Sequence, residues 1–215
     1  MLKLRKIVAF IIAWMPFNVI RVAGYKWIFG YSFGQRPKIG LGVLIVVKRF
    51  EAGDDLIIRR RTTFVGPMTV KLGSKNLIGR TNTFECGMAS QKHDHMNYLR
   101  EFMTGDDCFI NDRHLFDTTG RIEIGSGTWV AGFASQFLTH GASVMDRNIT
   151  LGSGCFIGSA ARFAPGSGVG NGVIVGMGSV VTKRIAGNDM VVAGVPAVKI
   201  KDRTPDDGFR FAKDW

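Results

Sequence analysis

Apolar residues along 151–186 recur every six positions. Read in blocks of six, the segment is LGSGCF, IGSAAR, FAPGSG, VGNGVI, VGMGSV and VTKRIA. The first place holds Leu151, Ile157, Phe163, Val169, Val175 and Val181. The second is mostly glycine, and the fifth is mostly small, as at Cys155, Ala161, Ser167 and Ser179. This period is neither the 3.6 of a helix nor the simple alternation of a long strand. It reads as a short strand, a tight corner, and the same again. If breaks fall only after every third block, the register runs upstream in triplets starting at Ala52, Leu72, Thr104, Ile124, Leu151 and Val169. The second residue of every triplet is glycine. Three strands and three corners make one triangular coil, too thin to bury its own apolar row, so coils must stack. The pattern predicts an all-β solenoid, a parallel β-helix.

The extra residues all enter at one corner. Two precede Leu72, two precede Ile124, and longer excursions leave at 88–103 and 141–150. Loops on one edge of a solenoid commonly build its binding site. Opening the third strands are Phe64, Phe84, Phe116, Gln136, Phe163 and Val181, which predicts an aromatic column broken by Gln136. Among the first places only Gln136 and Thr104 are polar. His140 follows at the corner where the 141–150 loop departs.

The first 38 residues break the pattern. Residues 7–20, IVAFIIAWMPFNVI, are nearly all apolar, follow Lys3, Arg5 and Lys6, and contain Pro16. The run is shorter than the roughly 20 residues that span a bilayer. Arg21, Lys26 and several aromatic residues come next. Net charge is +11, and residues 1–50 hold nine basic residues and no acidic one. This predicts helices lying on an anionic membrane surface, with aromatics at headgroup depth. Packing on the open end of the solenoid and a secretory signal are the alternatives; no small-x-small cleavage site is evident. The expected organisation is 1–38 helical, 39–200 solenoid and 201–215 tail, with TPDD at 204–207 opening a short C-terminal helix. Three widely spaced cysteines argue against a disulfide framework and fit a reducing compartment.

The LGSGCFIGSAARFAPGSGVGNGVIVGMGSVVTKRI run, followed by VVAGVPAVKI, resembles the hexapeptide-repeat acyltransferases, which have a left-handed β-helix fold. The resemblance runs toward O-acetyltransferases of bacterial surface polysaccharides and toward galactoside and maltose acetyltransferases. It implies left-handedness and transfer of acetyl from acetyl-CoA to a hydroxyl of a surface-polysaccharide or lipid-linked sugar. The family's catalytic histidine lies in a pair matching Thr139-His140. Its coenzyme A groove implies pantetheine contacts near Ser159 and Met177. The Val181-Thr182-Lys183 motif, with Lys201 as a second candidate, would meet the coenzyme phosphates. A homotrimer with sites between subunits is implied, and neither a metal nor a nucleic-acid partner is expected. Cytoplasmic acetyl-CoA would place the protein at the inner face of the membrane. Gly141 stands where many relatives have proline and the 141–150 loop is short, so the acceptor sugar stays open.

Acetyl transfer to a hydroxyl needs a base, and imidazole suits because its ordinary pKa is near neutrality. It needs donors for the developing oxyanion, which backbone N–H groups at glycine-rich corners can supply, and it needs both substrates held together. His140 is the expected base. Gln136 and Asp146 are expected to orient it or to contact substrate, although a satisfied Gln and a solvated loop Asp are the plainer readings. His93 and His95 form an HxH pair without a clear third ligand, and His114 fits a structural or interface role. Arg59, Arg60 and Arg61 either steer an anion or form a solvated face. Rival readings are an amino-sugar N-acetyltransferase of the same fold, a metal β-helix of the carbonic-anhydrase kind, and a non-catalytic glycan- or membrane-binding solenoid.

Overall fold

Within the coils each short strand pairs with the strands one coil before and after it, not with its neighbour in sequence. Phe109 and Ile110 lie beside Leu77 and Ile78 on one side and Trp129 and Val130 on the other, in parallel register. The structure, a computed structural model, describes residues 2–87, 98–141 and 144–204. Three sheets of eight, nine and seven strands result. Sheet A collects the first strand of every coil, from Ser32–Phe33 to Arg184–Ile185. Sheet B runs from Lys38–Ile39 to Met190–Gly194, and sheet C from Leu44–Val46 to Val180–Val181. The molecule is a left-handed parallel β-helix. Its first coil opens at Ser32, so the sequence-drawn boundary at 38/39 falls inside that coil. At the far end Ala197–Asp202 folds back antiparallel on Met190–Gly194. The C-terminal helix expected beyond residue 204, and His93 and His95 of the long excursion, lie outside the described residues.

The glycine at the second place of each triplet is fixed by close approach. A Cβ on Gly125 would stand 2.5 Å from Ser153 N, and one on Gly152 would stand 2.4 Å from the carbonyl carbon of Gly170. The coils rise by one strand spacing, about 4.8 Å, and at this corner that leaves no room for a side chain.

The aromatic column is unbroken, which corrects the expectation for Gln136. Phe64, Phe84, Phe116, Phe137 and Phe163 are fully buried and stack face to face, with centroids 4.3, 4.5, 4.6 and 4.9 Å apart in turn. Phe137, not Gln136, pairs with Phe116. Phe137 lies seven positions after Val130 where Phe116 lies six after Ile110, so the corner between them holds one extra residue. Gly132 and Ala134 take left-handed backbone there, at φ 64° and 63°. The insertion moves Gln136 one step along the strand, and with period 2 that turns it to the outer face.

Helices α1 (Leu2–Ala13) and α2 (Asn18–Phe29) cover the first coil. Ala9, Ile12, Ala13 and Tyr25 are buried there. The outer edge of the first sheet C strand would otherwise expose unpaired backbone. Two tyrosines close it. Tyr25 Oη donates to Val43 O at 2.7 Å and accepts from Ile45 N at 3.2 Å. Tyr31 Oη donates to Val47 O at 2.9 Å and accepts from Val47 N at 3.0 Å. Among the described residues no helix is long and apolar enough to cross a membrane.

Candidate active site

The corner from sheet C to sheet A gathers the chemistry. Leu115–Asp117 and Gln136–Leu138 are adjacent sheet C strands, with Asp117 opposite Leu138. Asp117 therefore sits one coil below the Thr139-His140 pair. Its carboxylate is largely buried, with 8% of the side chain exposed. Oδ2 accepts from Thr139 N at 3.1 Å, His140 N at 3.0 Å and His140 Nδ1 at 2.5 Å. Oδ1 accepts from Thr119 N at 3.2 Å and Thr119 Oγ1 at 2.8 Å. Five donors compensate the buried charge.

Thr139 ties the corner to the coil below. It is fully buried; its hydroxyl donates to Asp117 O at 2.6 Å and accepts from Gly120 N at 2.8 Å. One hydroxyl thus ties two successive coils. His140 emerges just beyond it with 68% of its side chain exposed. Because Nδ1 faces a carboxylate, it carries the proton, and Nε2 presents a lone pair outward. A buried acid that orients an exposed imidazole is the base half of a catalytic triad.

Asp117 was not singled out from the sequence. The misplaced register set it opposite Phe137 rather than Leu138, one step away from the corner. Counting the extra residue between Val130 and Phe137 would have brought it beside His140. The acid that orients His140 is therefore Asp117 and not Asp146. Asp146 is exposed and accepts from Asn148 N at 2.9 Å. Gln136 Oε1 accepts from Arg162 Nε at 3.1 Å. Gln136 thus engages Arg162, while the His140 ring is held by Asp117.

Four of the five residues expected to meet coenzyme A fall on two edges of sheet C. Ser159 and Met177 occupy stacked turns between sheets B and C; Gly178 N donates to Ser159 O at 2.9 Å, and Met177 is 81% exposed. Thr182 and Lys183 are exposed at the corner between sheets C and A. Lys201 is exposed on the antiparallel return strand. Within one chain Ser159 and Met177 lie at one edge of sheet C, Thr182 and Lys183 at the other, and Lys201 on the outermost strand of sheet B.

His114 is buried beneath the 131–136 corner, with 2% exposure, and its Nδ1 accepts from Ser135 N at 3.1 Å. Burial pushes its pKa down to about 4, against smaller opposing contributions from Asp112 and the Gly132 carbonyl. Cys86, Cys108 and Cys155 are free and buried. Burial raises the Cys155 thiol above its ordinary value, which disfavours the thiolate a nucleophile needs. No group of three or more His, Cys, Asp or Glu side chains suited to a metal occurs among the described residues.

The left-handed coil thus carries an acid-held histidine at a corner where loops leave. Comparison with known proteins agrees in fold and in sequence. No family model matches the chain. It is 25% identical over 192 residues to WcaF of Escherichia coli (strain K12), proposed as a colanic acid biosynthesis acetyltransferase; the match covers 85% of this chain and 96% of that protein. It is 39% identical over 67 residues to the galactoside O-acetyltransferase of the same organism, a stretch that is 31% of this chain and 32% of that enzyme. Among solved structures, a hexapeptide-repeat acetyltransferase from Vibrio cholerae complexed with acetyl coenzyme A superposes with a TM-score of 0.54 at 17% identity, covering 94% of this chain and 87% of that one. A UDP-N-acetylglucosamine O-acyltransferase from Moraxella catarrhalis gives 0.54 at 13% identity, over 86% of this chain and 75% of that one. The chain is thus similar, over most of its length, to hexapeptide-repeat acetyltransferases, and it shares their fold.

Proposed function

We propose that the protein is an acetyl-CoA-dependent O-acetyltransferase acting on a sugar hydroxyl of a surface polysaccharide or lipid-linked glycan. One observation carries this reading: the Asp117–His140 pair, with Nε2 directed outward from the corner where the loops leave. His140 Nε2 takes the acceptor hydroxyl proton as the oxygen attacks the acetyl carbonyl. Asp117 stays ionised and stabilises the imidazolium that forms. The proton then passes to the departing thiolate, which leaves as the free thiol. No covalent intermediate on the chain is needed.

The likeness to WcaF over nearly its whole length supports a surface-polysaccharide acceptor. The acetyl coenzyme A complex of the V. cholerae relative supports the donor. Ser159, Met177, Thr182, Lys183 and Lys201 are the proposed coenzyme contacts. The division of the first four between two edges of sheet C supports a trimer, in which one copy's edge faces another's across a groove. The basic N-terminal helices are proposed to rest on the inner face of the cytoplasmic membrane. The test is mass spectrometry of sugars incubated with protein and acetyl-CoA, comparing hydroxyl acceptors with their amino analogues. Acetyl esters are expected; acetamides alone would move the assignment to the N-acetyltransferase.

A further inference from the structure

The helical end of the coil carries a second, strongly basic cavity. It has a volume of about 970 Å³, and its lining includes Trp14, Lys38, Arg59, Arg60, Arg61 and Arg80. Arg59–Arg61 form the corner between sheets B and C in the second coil, and Arg61 is left-handed at φ 60°. That geometry projects three consecutive guanidinium groups outward. Arg80 is tied to Asp112 at 2.9 Å. Arg59, Arg60 and Arg61 are exposed and make no ion pair with an acidic side chain among the described residues, while Lys38, also exposed, lies within Coulomb range of Asp55. Three unpaired arginines around one concavity repel each other, so the arrangement favours an anion.

The surroundings indicate which anion. The 14–21 turn is shared: Trp14, Asn18 and Arg21 line the cavity, while Met15 and Ile20 line an apolar groove between α1 and α2. Along that groove and beside it, Ile7, Phe10, Phe17, Ile20, Trp27 and Ile28 are exposed; Trp27 is 82% exposed. This area is far more apolar than a surface facing water on its own. A second copy of the chain does not fit as its cover, because residues 1–50 hold nine basic residues and no acidic one. Two such ends would repel. An anionic bilayer complements both features, with acyl chains meeting the helices and phosphates meeting the arginines.

We propose that this cavity is a phosphate-binding site for an anionic membrane phospholipid, filled when the helical end docks on a bilayer. The proposal rests on the membrane-surface reading above and adds to it a defined headgroup site outside the helices. The test is flotation of the full chain with vesicles of phosphatidylcholine alone or with phosphatidylglycerol. Replacing Arg59, Arg60 and Arg61 together by Gln lowers affinity for the anionic vesicles on the order of 100-fold, roughly five-fold per arginine. Binding to the neutral vesicles stays unchanged, and replacement by Lys retains most anionic binding. A Trp27→Ala, Ile28→Ala variant instead weakens binding to both vesicle types. Equal anionic binding by wild type and the Gln variant, both with native melting curves, would overturn the cavity assignment while leaving the helices as the anchor. No binding of wild type to either vesicle would overturn both. Inorganic phosphate that displaces the protein from vesicles at equal affinity would make the site one for a soluble anion and overturn the lipid assignment.

Discussion

Replacing Asp117 by Asn separates two roles of the buried acid. Oδ2 accepts three N–H groups, from Thr139, His140 and the His140 ring, and Oδ1 accepts two donors from Thr119. An amide offers one oxygen and one NH2. With NH2 at the Oδ2 position, it would oppose two backbone N–H groups that cannot turn away. With NH2 at the Oδ1 position, it opposes one backbone N–H, and the Thr119 hydroxyl can rotate to accept. The amide oxygen therefore takes the Oδ2 place, the Nδ1–H bond survives, and the imidazole keeps its tautomer. Only the negative charge is lost. A hydrogen bond to a charged partner contributes about 1.5–3 kcal/mol against about 1 kcal/mol for a neutral one, and the exposed ring screens any larger Coulomb effect. The barrier should rise by about 1–2 kcal/mol, and kcat should fall roughly 5- to 30-fold. Asp117→Ala removes both carboxylate acceptors and leaves only the main-chain oxygen. It leaves the buried Thr139 N–H unpaired at a cost of about 1–3 kcal/mol, and frees the ring, so that kcat should fall on the order of 10³-fold. The assay is thiol release from acetyl-CoA at saturating acceptor, beside thermal melts. A fall on the order of 10⁴-fold in a natively melting Asn variant would mean an inverted tautomer and refute the argument about the amide. An unchanged kcat would refute any use of the carboxylate charge.

Other outcomes follow from the same geometry. Phe137→Ala should destabilise the fold by about 3–5 kcal/mol, measured by denaturant unfolding, because Phe137 is fully buried between Phe116 and Phe163; a loss under 1 kcal/mol would contradict its place in the column. Gly152→Ala should cost about 1–3 kcal/mol or more, since its Cβ would stand 2.4 Å from the next coil; a neutral melt would contradict the close approach. His114 has a folded pKa of about 4 against an ordinary 6.5. Its neutral form therefore contributes stability that is complete above the unfolded pKa. As pH falls from 6.5 toward 4 that contribution is lost, by about 3 kcal/mol in all. His114→Gln should flatten the acid limb of the stability curve over that interval, and an unaltered limb would contradict the assignment.

Much of this molecule was readable from one row of small and one row of apolar residues. The glycine column at Gly53, Gly73, Gly105, Gly125, Gly152 and Gly170 is a steric requirement repeated at every coil, so it fixed the period and the corner where loops leave. His140 was visible because a Thr-His pair stands at that corner. Asp117 was hidden because contacts between coils depend on counting residues around a full turn. One inserted residue, accommodated by left-handed backbone at Gly132 and Ala134, shifts the strand that follows it by one and exchanges inside for outside there. The same shift made Gln136 look like a core residue. Arg59–Arg61 was visible as a charge run, but its meaning needed the fold, which sets Trp14 and the helix faces beside it.

The central claim is that His140, held by Asp117, is the base of an acetyl transfer. The most direct measurement is free-thiol release from acetyl-CoA by wild type and His140→Ala, with and without a panel of free and lipid-linked sugars. The account predicts release that depends on acceptor and falls about 10²- to 10⁴-fold in the variant, with the melt still cooperative and only modestly lowered, since the ring is exposed and Asp117 keeps four other donors. Wild type that neither binds nor turns over acetyl-CoA, or a variant that keeps full acceptor-dependent release, would contradict it.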